Sequence, residues 1–212
     1  MKVSELFEMP QYINKEMPIL GDFNLFYSEE SIERLFDKVS IFKVGEDEFA
    51  VLIKKSRADA VLGKFSFRDN ETFGVSVIGK LEFKDTLDLS WINEIHVSAK
   101  NVLQVDGVSL NAEVRSGGLG THFYVALVKY GFVLISDTLQ YTGGRKLWDK
   151  LARTSKSNSV NVFIVADGEV VMDGDNPLKY NGKNYSEDEI WGPETNNPSN
   201  SKKHVLLVLK KG

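Results

Sequence analysis

The chain has no cysteine among its 212 residues. That excludes disulfides, a thiolate nucleophile and cysteine-ligated zinc, and leaves the redox compartment open. Histidine is scarce too: His96, His122 and His204 are the only three, and none stands in an H-E-x-x-H or similar ligand spacing. No metal site is expected. Long apolar runs are missing, since "YVALV" and "VLLVL" fall far short of the roughly 20 residues a bilayer span needs. The opening "MKVSELFEMP" has no apolar h-region, so a cytoplasmic setting without a membrane partner is the expectation. Positive charge is not in excess either. A formal charge of −4 and an isoelectric point near 5.5 argue against nucleic acid as the main partner. Any anionic ligand must therefore be held by local features.

What is present is ordinary for a globular chain: 42% hydrophobic and 26% charged residues, enough for a real core. The length suits a single domain over residues 1–212, with no internal repeat and no linker. "YSEESIERLFDKV" predicts a first helix, capped by Ser28, with Ile32, Leu35, Phe36 and Val39 on one face. β-rich runs follow at 39–44 and 48–54 around the turn "GEDE". "FGVSVIGKLEF" alternates faultlessly through Phe73, Val75, Val77, Leu81 and Phe83, as a strand with one buried side does. "LDLSWINEIHV" repeats that pattern through Leu87, Leu89, Trp91, Ile95 and Val97, with Ser90, Glu94 and His96 on the other side.

"VLQVDGVSLN" places Asp106-Gly107 between two β-rich pieces and reads as a hairpin inserted over about 99–114. A bulge within one longer strand is the alternative, because the apolar parity switches at Gly107. Downstream, Leu119, Phe123, Ala126, Leu127 and Tyr130 have helical spacing, and Gly131 stands as the C′ residue. Val125 and Val128 make this helix apolar around most of its girth. "FVLIS" reads as a buried strand, "TGGRKLWDKLART" as an amphipathic helix, and "VNVFIVA" and "KHVLLVLKK" as the last strands. The Asn-, Gly- and Pro-rich stretch at about 172–203 reads as a flap loop, with Trp191 as an aromatic contact for a ligand. Lys210 and Lys211 read as a solvated tail.

Three glycines in "RSGGLG", directly before a helix, make an anion site. Amides at a helix start lack partners, and the helix dipole favours negative charge there. The stretch is neither G-x-G-x-x-G nor a P-loop. It does fit R-x-x-G-x-G through Arg115, Gly118 and Gly120. Here the chain resembles the GNAT superfamily of N-acetyltransferases over roughly residues 87–153. "INEIHVSA" looks like that family's fourth strand, "RSGGLGTHFYVALVKYG" like its pyrophosphate loop and third helix, and "FVLISD" like its fifth strand. In "YTGGRKLW", Tyr141, Gly144, Leu147 and Trp148 take the slots of its N-x-x-A-x-x-L-Y helix. The form is similar to acetyltransferases carried by bacteriophages.

The resemblance implies an α/β fold of the GNAT kind: a mixed, mostly antiparallel sheet with helices on both faces and two splayed central strands. It implies acetyl-CoA as cosubstrate, with its pyrophosphate on Arg115, Ser116, Gly117, Gly118, Leu119, Gly120 and Thr121. Backbone groups of Ile95, His96 and Val97 would hold the pantetheine arm, and Trp148 would complete the cofactor contacts, although an aromatic on the apolar side of an amphipathic helix reads first as a core anchor. A primary amine would attack the thioester directly, on a small molecule, a peptide N-terminus or a protein lysine. Glu94 is the carboxylate placed as general base, and Asp137 is a further candidate. If the strand is instead 102–114, Asp106 replaces Glu94. The slot of the family's general-acid tyrosine holds Trp148, whose indole cannot deliver a proton. Tyr141 or Tyr124 would take that role, or solvent would protonate the thiolate. Two other readings follow from the same residues: a GNAT-like binding protein without catalysis, and a phage structural or assembly protein.

Overall fold

The computed structural model describes residues 11–13, 25–68, 71–84, 89–98, 101–111, 118–137, 139–191 and 205–212. The fold is α+β. Pairing between strands is mostly antiparallel, with parallel exceptions named below. After the short strands β1 (Gln11–Ile13) and β2 (Phe26–Ser28) comes helix α1 (Glu29–Leu35). Ser28 caps it as expected, its hydroxyl accepting from the Ser31 amide at 3.3 Å. The helix stops earlier than its apolar spacing suggested. Phe36 is already extended and begins β3 (Phe36–Val44), because its ring is buried from the strand.

A hairpin through Gly45 (φ +61°) leads to β4 (Asp47–Lys54). Next come β5 (Asp59–Arg68), which the sequence reading did not anticipate, and β6 (Thr72–Lys84), which it did. Val75, Val77 and Leu81 of β6 are all buried, as their alternation requires. A 3-10 turn spans Ser90–Asn93. It precedes β7 (Val102–Leu110) and α2 (Leu119–Tyr130), the latter closed by Gly131 at φ +121°. The rest runs β8 (Val133–Ile135), β9 (Leu139–Tyr141), α3 (Thr142–Arg153) and the short α4 (Ser155–Asn158). The final elements are β10 (Val160–Ala166), β11 (Glu169–Val170), β12 (Met172–Asp173), β13 (Asn176–Pro177), α5 (Glu187–Trp191) and β14 (Val205–Lys211).

The chain forms two compact units, each assembled from separated segments. The first comprises Met1–Met17, Asp85–Gln104 and Gly131–Gly212. Its strands run β11, β10, β14, β8 and the start of β7, with β1 on β9 in parallel and β12 on β13. Trp91, Ile92, Ile95, Ile135, Phe163 and Val208 form its core. The second unit comprises Pro18–Lys84 and Val105–Tyr130. It orders the remainder of β7, then β6, β5, β4 and β3, with β2 also on β6. Ile32, Phe36, Leu52, Val61 and Val75 fill its core, and α2 lies against β3 and β4.

Two expectations are corrected. The Asp106-Gly107 hairpin does not form, because β7 is one strand running through both residues. Gly107 avoids the positive φ that a type I′ turn requires, and Asp106 is drawn sideways to Lys84 of β6 at 3.3 Å. Nor is there a strand among the described residues 89–98 of the expected strand 87–98. Trp91, Ile92 and Ile95 are buried together, a helical spacing that the alternating pattern had hidden.

Close backbone approach decides one glycine. Gly63 stands where β5 shifts register against β6, and a Cβ there would collide with Val75 and lie 3.0 Å from the Ser76 carbonyl oxygen. Gly63→Ala is expected to cost about 1–3 kcal/mol, as overpacking does. Urea denaturation checks this, and an unchanged midpoint would show that β5 yields without strain.

Candidate functional site

Helix α2 carries the part of the glycine loop that is described. Gly118 has φ +74°, a conformation that a residue with a Cβ rarely takes. Its carbonyl accepts from the amides of Thr121 at 3.0 Å and His122 at 3.2 Å, which starts the helix. Leu119, Phe123, Leu127 and Val128 are buried and hold the helix start in place. Thr121 is also buried, and its hydroxyl has no hydrogen-bond partner. His122 is exposed and stacks on Phe42 at 5.2 Å, which in turn stacks on Phe49 at 5.6 Å. Arg115, Ser116 and Gly117 lie outside the described residues.

The strand feeding this loop is β7. It pairs with β8 in parallel over Val102–Gln104 against Val133–Ile135, then continues to Leu110 past the last of these pairs. A parallel strand pair joined through a helix is thus present: β7, the glycine loop, α2 and β8. Asp106 sits on β7, more than half exposed, with Lys84 as its ion-pair partner.

Glu94, Ile95, His96 and Val97 belong to the first unit and are not on a strand. Glu94 ends the 3-10 turn, exposed to solvent. Two of the three amides expected to hold pantetheine, those of His96 and Val97, are occupied locally, as is that of Glu94 before them. Glu94 N–H donates to the Trp91 carbonyl at 3.0 Å, His96 N–H to Asn93 at 3.0 Å and Val97 N–H to Ile92 at 3.4 Å. His96 has φ +54°, as a tight turn residue. The Ile95 carbonyl accepts from Lys210 Nζ at 2.8 Å. Lys210 is therefore no solvated tail: its ammonium lies 5.8 Å from the centre of the Phe163 ring. Burial, and next the nearby Lys179 charge, lower its pKa.

Trp148, expected among the cofactor contacts, is 1% exposed and belongs to the core. An amphipathic helix buries its large aromatic before offering it to a ligand. Asp137 follows β8, partly buried and engaged in interactions of its own. Tyr124, the other tyrosine considered, is 1% exposed within α2. Tyr141 ends β9, and its backbone pairs with Ile13 of β1.

A cluster absent from the sequence reading lies between α3 and the segment 180–191. Arg145, Asp149 and Arg153 recur every four residues and so share one face of α3. Glu187 of α5 accepts from Arg145 Nη2 at 2.6 Å, and its other oxygen is 3.7 Å from Arg153. The Arg145 guanidinium also stands 5.8 Å over the Trp191 ring. Tyr180 and Trp191 are each 1% exposed, so Trp191 is not a ligand contact on a flap. Residues 192–203 of the expected flap lie outside the described residues. One oxygen of Asp149, the Tyr180 hydroxyl and the Trp191 indole N–H are buried without hydrogen-bond partners.

Burial, reinforced by the Glu187 charge, raises the pKa of Asp149 against the opposing pull of Arg145 and Arg153. The indole of Trp191 favours the ionised carboxylate only weakly, and does so without full hydrogen-bond geometry. Burial, then the charges of Asp149 and Glu187, push Tyr180 up to about 12. The i, i+4, i+8 charge stripe on α3 was readable in the sequence. Its partners were not, because they come from a distant stretch of the chain whose composition reads as a loop. Among the described residues, no group of histidines and carboxylates is arranged to hold a metal ion.

The unpartnered Tyr180 hydroxyl generates a prediction. Tyr180→Phe removes a desolvated group that makes no bond, so stability at pH 7 should be unchanged or slightly higher. A tyrosine whose folded pKa is raised loses native stability as pH climbs from about 10 toward that value. The variant should therefore resist unfolding between about pH 10 and 12 better than wild type. Thermal melts across that range check it, and a less stable variant at pH 7 would show that the hydroxyl is bonded. Comparison with family models, with curated proteins and with solved structures finds no match for this chain.

Proposed function

We propose that the chain is an acetyl-CoA-dependent N-acetyltransferase acting on a primary amine. The observation that carries this reading is the start of α2: a left-handed Gly118 and a buried Thr121 hydroxyl without a partner among the described residues, following strand β7 in the chain. Amides at that helix start, with the loop before it, would hold the pyrophosphate. Their alignment supplies local positive potential on a chain whose net charge is −4.

In this reading β7 takes the place of the family's fourth strand. The carboxylate assigned to the chemistry is then Asp106, on the strand that leads to the loop, in preference to Glu94 on its exposed turn. The amine nitrogen attacks the thioester carbonyl, a C–N bond forms and the C–S bond breaks. Asp106 accepts the proton the nitrogen loses, directly or through water, and solvent protonates the departing thiolate. The second reading, binding without catalysis, draws on Trp148: the residue in the general-acid slot is sealed in the core.

At a CoA concentration about 100 times its Kd, binding should stabilise the fold by roughly 2.7 kcal/mol. That corresponds to a Tm rise of about 5–11 °C for a chain of this size. Gly118→Val should abolish the shift, because a β-branched residue resists φ +74°. Asp106→Asn should lower turnover by about 100- to 10,000-fold with CoA affinity kept, while Glu94→Gln should leave turnover intact. No shift with folded, CoA-free wild type would end the acetyltransferase reading. A shift without transfer to any of a panel of amines would favour the binding protein.

A further inference from the structure

The α3 cluster is assembled like a clamp. On α3, Arg145 and Arg153 flank Asp149 one turn above and one turn below. On α5, Glu187 reaches both guanidiniums, and Trp191 lies under Arg145. Tyr180 completes the enclosure. Its amide is tied to the Val162 carbonyl of β10 at 2.8 Å, so the start of the segment is anchored. Gly182, at φ +80°, lets the segment's backbone lie against the Arg153 stem, where a Cβ would stand 2.6 Å from Cγ.

We propose that residues Tyr180–Trp191 form a proton-sensitive strap, clamped on α3 while Asp149 is neutral and loosened as Asp149 ionises. The groups facing Asp149 are Arg145 and Arg153 from its own helix, Glu187 and Trp191 from α5, and Tyr180 from the segment before it. With Asp149 neutral, Glu187 is the carboxylate that both guanidiniums hold. Once ionised, Asp149 lies within one helical turn of each guanidinium and competes for them, while repelling Glu187. Its buried oxygen, which has no partner in the closed arrangement, then draws water in. Both effects weaken the hold on α5. Burial of the carboxyl, which disfavours its charge, moves this transition upward from the ordinary aspartate range. For an acid shifted upward, the closed state is favoured at lower pH and loses its advantage as pH rises through the shifted value.

Hydrogen exchange read by mass spectrometry, corrected for the intrinsic pH dependence of exchange, tests the strap on the full chain. The Ile190 amide, bonded to the Ser186 carbonyl at 3.2 Å, is a convenient reporter. From about pH 4, the ordinary aspartate value, up to about pH 8, protection over 180–191 should fall by about tenfold, while β10 and β14 stay constant. Asp149→Asn should hold protection high and flat across that range. Glu187→Gln should leave it low at both ends, because the bridge to Arg145 and Arg153 is lost at any pH. Tyr180→Phe, which keeps Asp149, should retain the slope. Flat protection in wild type overturns the proposal whatever the variants do, and so does a slope that survives in Asp149→Asn.

Discussion

Helix α2 has to be covered on nearly every side, and much of the second unit answers that requirement. Leu119, Phe123, Tyr124, Val125, Leu127 and Val128 are all buried within 12 residues, so water reaches only the stripe of His122, Lys129 and Tyr130. Each large apolar side chain fully buried there contributes roughly 1.5–3 kcal/mol. A helix so enclosed cannot slide or rotate without opening voids, and its N-terminus is correspondingly fixed in space. The left-handed angle of Gly118 stands at the N-terminal end of this packed helix. In the proposed reading, core packing alone positions the helix start that would hold the anion.

Charge is handled in two different ways in the two units. In the second, Asp59 is almost wholly buried but lies 2.6 Å from Lys54 and 4.0 Å from Lys80, so its charge is compensated at once. In the first, Asp149 is flanked by two arginines that are committed elsewhere, to Glu187. The same types of residue therefore give a settled ion pair in one place and a contested one in the other. What differs is which carboxylate takes the short contact: Lys54 bonds the buried Asp59 itself, whereas Arg145 bonds the more exposed Glu187.

The elements most readable from sequence were those whose period has one interpretation. The strand at β6 alternates over its whole length, and α2 keeps helical spacing from Leu119 to its C′ glycine, so both appear where expected. The stretch around Trp91 had two periods at once. Leu89, Trp91 and Ile95 satisfy alternation, while Trp91, Ile92 and Ile95 satisfy a helical turn, and packing against Ile135 and Phe163 selects the second. Asp106-Gly107 failed for a related reason. The dipeptide permits a turn but does not compel one, and pairing of β7 with its neighbours keeps the chain extended.

By itself the sequence determined the α+β class, the order of the strong elements, the cap at Ser28 and the glycine-led start of α2. These depend on residues within a few positions of one another, and local chemistry is written locally. Tertiary structure alone decided that Lys210 reaches the Ile95 carbonyl, that Trp191 is a core residue, and that Glu187 spans Arg145 and Arg153. It also divided the predicted site residues between two units. Each of these outcomes joins positions far apart in the chain. Their partners are set by which surfaces must be buried together, a property no short stretch of sequence contains.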